Sequence, residues 1–342
     1  IIFSFINNNL ILLQLFFDLI KFEKKLFKSS STYNFNQKAI EIFKFQYNNN
    51  SVYSQYCDLI NVDVKSIREI KDIPFLPIQF FKNYTVSSYH KHTHSFKSSG
   101  TGGKRSVHYI KDINIYIQSF TQCFEENFGS INNTVFLGLL PSYIEQGNSS
   151  LIYMVDYLIQ KSNRKESGFY LNDYKKLYDL ILKLEKSEKK IILIGVSYAL
   201  LDFIENFSLK TENLVIIETG GMKGRRKEIT REELHDKLKK GFNSNNIKSE
   251  YGMTELLSQA YSNRNGIFKS PSWLKVLVRD INNPLSVNLQ GKGALNFIDL
   301  ANINSCSFIA SDDIGEVYQD SSFKVLGRLS NSEIRGCNLM FN

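Results

Sequence analysis

The chain is poor in the residues that staple or interrupt a fold. Its 342 residues include four cysteines, Cys57, Cys123, Cys306 and Cys337, far apart and never spaced CxxC. That argues against a disulfide framework or a cysteine zinc site and for a reducing, cytoplasmic compartment. There are five prolines, one tryptophan and no internal repeat. A single-sign charge field is also missing: 42 Lys and Arg stand against 34 Asp and Glu, a net charge of +8 with the lysines scattered from end to end. Such an excess suits a protein that handles phosphates or other anions and does not call for nucleic acid. No long apolar run occurs. Residues 1–20 are apolar but broken by Asn7, Asn8, Asn9, Gln14 and Asp18, with no positive segment before them and no small-residue cleavage site after. A signal peptide or transmembrane segment is therefore not expected. Residues 1–30 are read as an N-terminal helix, around Leu10–Phe27, or as a mis-called extension.

The chain is 42% hydrophobic and 22% charged, which excludes disordered, collagenous and coiled-coil classes. From residue 36 to 60 apolar residues recur at the helical period. Two prolines make Ile73–Pro77 an extended connector. Strands are expected at Thr134–Leu140, Lys190–Gly195 and Asn213–Glu218. They alternate with helices at Ser149–Gln160, Leu171–Lys186, Tyr198–Asn206 and Ile229–Phe242. The last helix opens on Thr230 with Glu233 three residues on. This alternation predicts an α/β fold with a mostly parallel, helix-covered sheet over residues 31–265. Beyond it, short strands between Gly, Asn and Asp turns predict a small β-rich portion over residues 266–342.

Three segments carry residues suited to chemistry. Ser98, Ser99, Gly100, Thr101, Gly102, Gly103, Lys104, Arg105 and Ser106 form a small-residue loop. Its glycines let backbone N–H groups converge on an anion, and its hydroxyls and Lys104 add donors. The GxxxxGK(S/T) spacing is missing, and by itself the loop also reads as a plain turn. Glu250, Tyr251, Gly252, Met253, Thr254 and Glu255 follow at a strand–helix junction. Tyr251 can stack on a base, Thr254 can donate to a phosphate, and Glu255 can hold a hard cation such as Mg2+. The same residues would equally make a helix N-terminus capped by Thr254. Third come Asp313, before Ile314 and Gly315, and Arg328 after Gly327. A turn carboxylate can accept both hydroxyls of a ribose, though Asp is also an ordinary turn residue.

The order and spacing of the three resemble the adenylate-forming superfamily of acyl-activating enzymes. A narrower likeness covers roughly Phe35 to Met340. Ser98–Thr101, Pro141–Tyr143, Gly147–Leu151, Ile194–Phe203, Glu218–Gly224, Ile229–His235, Glu250–Leu256 and Arg335–Cys337 look like the LuxE-type acyl-protein synthetases, the fatty-acid-activating subunits of bacterial fatty acid reductase. The resemblance implies the large-domain fold of adenylate-forming enzymes and a reaction of a fatty acid or related carboxylate with ATP and Mg2+ to give acyl-AMP. It also implies transfer to a thiol near the C-terminus, where Cys337 matches, and delivery to an acyl reductase or acyl-carrier partner. On this reading the Ser98–Ser106 loop, with Gly100, Thr101, Gly102 and Gly103, holds the outer phosphates. Thr254 and Lys104 meet the α-phosphate, Glu255 the metal, Asp313 and Arg328 the ribose. Tyr251 packs on adenine beside Gly252, and Gly220, Gly221 and Met222 line the adenine and carboxylate pocket. Two departures stand out. Gly102 replaces the second threonine of the family loop, and the chain ends about fifteen residues after Arg328, without the C-terminal lysine domain of the large adenylate formers.

Other readings are a non-catalytic scaffolding subunit and a serine hydrolase. Gly195–Ala199 resembles a nucleophile elbow around Ser197, but only His235 follows it. His90, His92 and His94 would share one face of a strand as a metal cluster, or form a polar approach to the loop.

Overall fold

The computed structural model describes residues 18–19, 21–27, 33–99, 104–141, 148–171, 173–222 and 224–329. Helices α1 (Phe35–Asn49) and α2 (Ser51–Leu59) precede the first strand. Asn34 and Asn50 cap them, their side-chain oxygens accepting from the N–H groups of Gln37 and Tyr53. Next are β1 (Leu76–Pro77), α3 (Phe80–Asn83) and the hairpin β2 (His94–Lys97) and β3 (Val107–Ile110), whose tip carries the Gly/Ser loop. Of the three histidines only His94 lies in a strand.

A βα alternation follows. α4 (Ile113–Phe128), β4 (Thr134–Leu139), α5 (Ser150–Ser162), β5 (Gly168–Phe169), α6 (Tyr174–Glu185), β6 (Lys190–Val196), α7 (Ser197–Asn206), β7 (Leu214–Thr219), α8 (Arg231–Phe242) and β8 (Ile247–Tyr251) succeed one another. Strands β4, β6 and β7 are almost wholly buried, as continuous apolar runs covered on both faces must be. They pair in parallel in the order β5-β4-β6-β7-β8, with Phe136 beside Ile192 and Glu218 beside Ser249. Each expected strand and helix in this stretch is present within a few residues. The helix expected from Leu171 begins at Tyr174 because Asp173 caps it, accepting from the Lys176 N–H.

The remaining strands are β9 (Ala260–Arg264), β10 (Ile267–Lys269), β11 (Leu274–Arg279), β12 (Val287–Asn288), β13 (Gly291–Asp299), β14 (Phe308–Val317) and β15 (Phe323–Arg328). They are antiparallel, and they continue the same sheet, because β9 pairs antiparallel to β8 and joins β10 and β15. Among the described residues the sheet has 13 strands. Trp273 is fully buried where the two halves meet, its indole N–H donating to Ser119 Oγ at 3.1 Å and Ser258 Oγ at 3.0 Å. No helix of the described residues is long and apolar enough to cross a membrane.

Candidate active site

A cleft of about 550 Å³ opens where the parallel half of the sheet meets the antiparallel half. The carboxyl ends of β7 and β8 point into it, the usual place for a ligand in an open α/β sheet. All three sequence segments reach this cleft, from positions up to 230 residues apart (Ser98 to Arg328).

The loop is drawn shut at its base: the Ser106 N–H donates to Ser98 Oγ and the Ser98 N–H to the Ser106 carbonyl, both at 3.0 Å. Ser98, Ser99, Lys104 and Ser106 line the cleft, with Lys104 exposed. Gly100, Thr101, Gly102 and Gly103 lie outside the described residues, as does Cys337. Across from the loop, α5 presents its N-terminus through Ser149 and Ser150, adding the positive end of a 13-residue helix.

Another wall of the cleft is built from two elements. Asp313 and Arg328 are direct partners across β14 and β15, and Arg328 Nε stands 3.8 Å from Asp313 Oδ1. The Tyr251 hydroxyl donates to Asp313 Oδ2 at 2.6 Å. Burial raises the Asp313 carboxyl above its ordinary value, while the Tyr251 bond and the Arg328 charge pull it back. Asp312 is committed elsewhere, accepting from Gln79 Nε2 at 2.6 Å. The Tyr251 ring stacks on Phe297 at 5.4 Å and meets Phe268 and Phe323 edge-on. Its ring is thus embedded in an aromatic cluster and its hydroxyl faces the cleft.

The turn after β8 is held from three directions. Neutral His108, on β3, donates from Nδ1 to the Thr254 carbonyl at 2.9 Å and accepts at Nε2 from Ser305 Oγ at 2.8 Å. Burial pushes this imidazole down to about 4. Asn302 Nδ2 donates to the Glu255 carbonyl at 2.8 Å. Asp299 accepts from the N–H groups of Leu257 and Ser258 and from the Ser258 hydroxyl. Glu255 itself is buried on the cleft wall. Desolvation raises its carboxyl, opposed by a hydrogen bond from Ser106 and the charges of Arg328 and Lys82. A desolvated carboxylate on a cleft wall is a suitable oxygen donor for a hard cation such as Mg2+.

At the end of β7, Gly220 and Gly221 both take positive φ, 73° and 68°, a conformation that side chains resist. They line the cleft, whereas Met222 is buried in the core off its wall. Behind them lies a polar network that the sequence reading missed. Ser197 Oγ donates to Glu218 Oε2 at 3.1 Å, and Arg231 Nη1 stands 3.3 Å from Glu218 Oε1. His235 Nε2 pairs with Ser249 Oγ at 2.9 Å. Burial works to raise Glu218, but His235 and Arg231 outweigh it and hold the carboxylate ionised. The hydrolase reading of Ser197 fails on this geometry: the carboxylate stands between serine and imidazole, and His235 Nε2 pairs with Ser249, so the imidazole does not reach the Ser197 hydroxyl. Among the described residues no group of three or more His, Cys, Asp or Glu side chains could hold a metal. His92 and His94 instead pack on Tyr109 and Tyr153.

Comparison with known proteins places this geometry. The family model described as acyl-protein synthetase, LuxE, matches residues 6–342. A long-chain-fatty-acid–luciferin-component ligase of Vibrio harveyi is 21% identical over 335 residues, covering 87% of this chain and 84% of that protein. Among solved structures, a 2-hydroxyisobutyryl-CoA ligase in complex with 2-HIB-AMP and CoA superposes with a TM-score of 0.62 at 10% identity, over 86% of this chain and 67% of that one. ATP-bound MatB from Rhodopseudomonas palustris gives 0.50 at 15% identity, over 68% of this chain. That match spans 47% of MatB, about half its length. These structures share the fold, that of adenylate-forming ligases.

Proposed function

From the premise that the chain belongs to the LuxE acyl-protein synthetase family, we propose that the cleft joins a fatty carboxylate to ATP and passes the acyl group to a thiol. The observation that carries this reading is the convergence of Ser98, Lys104, Thr254, Glu255, Asp313 and Arg328 on one cleft. A carboxylate oxygen attacks the α-phosphorus, the bond to the bridging oxygen breaks, and pyrophosphate leaves with that oxygen. Acyl-AMP remains. Asp313 and Arg328 hold the ribose, the Tyr251 hydroxyl orients Asp313, and Gly220, Gly221 and Gly252 leave room for the base. Thr254 donates to the α-phosphate. Ser98, Ser106 and Lys104, with the N-terminus of α5, face the charge that builds on the phosphates, where fixed donors have most effect on rate. Mg2+ would be held by Glu255 with phosphate oxygens and would neutralise the departing pyrophosphate.

The acceptor is the Cys337 thiolate. It attacks the acyl carbon, AMP leaves with the former carboxylate oxygen, and the thioester keeps the acyl group activated for an acyl reductase or carrier partner. Its surroundings in sequence favour this: Arg335 is two residues away and Gly336 is adjacent, whereas Cys57, Cys123 and Cys306 are buried. Burial lifts the Cys57 thiol to about 12 and raises those of Cys123 and Cys306 as well. Incubation with ATP and a radiolabelled fatty acid should label the protein through a bond that neutral hydroxylamine cleaves. Cys337→Ser should still make acyl-AMP and lose that label. Retention of the label in this variant would assign the acyl group to another residue.

A further inference from the structure

One cation on the cleft wall belongs to neither the ribose pair nor the Gly/Ser loop. Lys82 stands in α3 and lines the cleft together with Ser98, Lys104 and Ser106. The segment that carries it is tied down along its length. β1 pairs in parallel with β14, Leu76 beside Ile309, and the Ile78 N–H donates to the Ala310 carbonyl at 2.9 Å. Gln79 Nε2 donates at 2.6 Å to Asp312, the neighbour of Asp313. Phe81 is buried, its ring edge-on to His108, which in turn holds the Thr254 carbonyl. Gln79 has helical φ and ψ, −61° and −21°, so Lys82 three residues on shares its face, the one turned to Asp312 and the cleft. Arg328 and Arg231, also on the wall, stand 3.8 Å from Asp313 and 3.3 Å from Glu218. Among the described residues the Lys82 ammonium makes no hydrogen bond or ion pair, although its charge reaches Glu255.

We propose that Lys82 binds the β- and γ-phosphates of ATP and holds the pyrophosphate as it leaves. The inference rests on the adenylation reading and adds a catalytic residue to the same site. Position decides the role. Glu255 and Ser106 mark the phosphate end of the cleft, and Lys82 is near enough for its charge to act on the Glu255 carboxyl. The opposite end has its own cation, Arg328, across from Asp313. When the bond from the α-phosphorus to the bridging oxygen breaks, the electron pair stays with that oxygen. Negative charge therefore moves outward, away from the ribose, and an ammonium already standing there is better paired as it develops. Glu255 cancels part of the charge of any Mg2+ it holds, which leaves room for a second cation. A lysine suits that place: it is a compact charge with three donors on a flexible stem, able to follow a phosphate as it departs. Because α3 is packed against β14 and His108, only the lysine's own torsions remain to be fixed.

The test uses the whole protein and two measurements. The first is pyrophosphate exchange dependent on decanoate, tetradecanoate or octadecanoate. Lys82→Met should raise the KM for pyrophosphate about tenfold or more, the scale of one hydrogen bond to a charged group. Lys82→Arg should recover most of that loss by returning the charge. The second is equilibrium titration with nucleotides and Mg2+. Lys82→Met should bind ATP about tenfold more weakly than wild type and AMP equally well. Equal weakening of AMP and ATP would mean a contact to the α-phosphate or a structural role and would overturn the inference. A pyrophosphate KM that Lys82→Met leaves unchanged would overturn it too, with adenylation left standing. A wild type that exchanges no pyrophosphate with any of the three acids would overturn the adenylation reading itself, and this inference with it.

Discussion

Single side chains in the cleft are distinguished by what already holds them. Asp312 and Asp313 are adjacent and alike in sequence, but Gln79 occupies the first and Tyr251 and Arg328 address the second. Asp313→Asn should raise the KM for ATP about tenfold or more, because one ribose hydroxyl loses its acceptor, with a smaller change in kcat. Asp312→Asn should leave both close to wild type. Initial-rate kinetics with varied ATP separate the two. Tyr251, Thr254, Glu255 and Asp313 were legible in the sequence because short motifs concentrate unlike polar residues at fixed spacing. His108 was not. It stands between Val107 and Tyr109, and its meaning comes from a partner far along the chain: it meets the Thr254 carbonyl across 146 residues.

At the scale of elements, the turn after β8 is held in place because β3, β13 and the short helical turn at Leu300–Asn302 all bond to it. His108 makes this tie sensitive to pH. Its neighbours are the Thr254 carbonyl, the Ser305 hydroxyl and the edge of Phe81. The folded-state value of about 4 lies below the ordinary 6.5, so the unfolded chain binds the proton more readily. The contribution is complete above pH 6.5 and is lost as pH falls through 6.5 towards 4, up to about 3 kcal/mol. Glu250 works the other way: its carboxyl is raised from 4.5 to about 7, so its part is present at low pH and lost as pH rises across that range. Comparing wild type with His108→Gln in urea titrations isolates the histidine. The stability difference in favour of wild type should grow from pH 4 to pH 6.5. A difference that does not change with pH would mean that His108 is not held neutral. The Gly/Ser loop was legible as a candidate anion cradle, but its closure by Ser98 and Ser106 was not. That closure depends on β2 and β3 pairing, and neither four-residue strand has a pattern long enough to declare itself.

Over the whole molecule, the parallel half was legible because fully buried strands write themselves as unbroken apolar runs separated by helical periods. The antiparallel half was legible as strands. Its union with the parallel half was not, since β8 and β9 are joined by residues 252–259, a connection without the short turn signal that would announce an antiparallel pair. The two-residue strands β5 and β12 leave no signal at all. That joint is what opens the cleft, so the central claim concerns it: the residues gathered there activate a carboxylate with ATP. The most direct measurement is carboxylate-dependent exchange of labelled pyrophosphate into ATP, in wild type and in Glu255→Gln. The account predicts exchange that requires both Mg2+ and the acid. It also predicts a loss in Glu255→Gln of about 2–4 kcal/mol in transition-state stabilisation, roughly 30-fold to 1000-fold in rate. Exchange that persists without added carboxylate, or that is undiminished in Glu255→Gln, would contradict it.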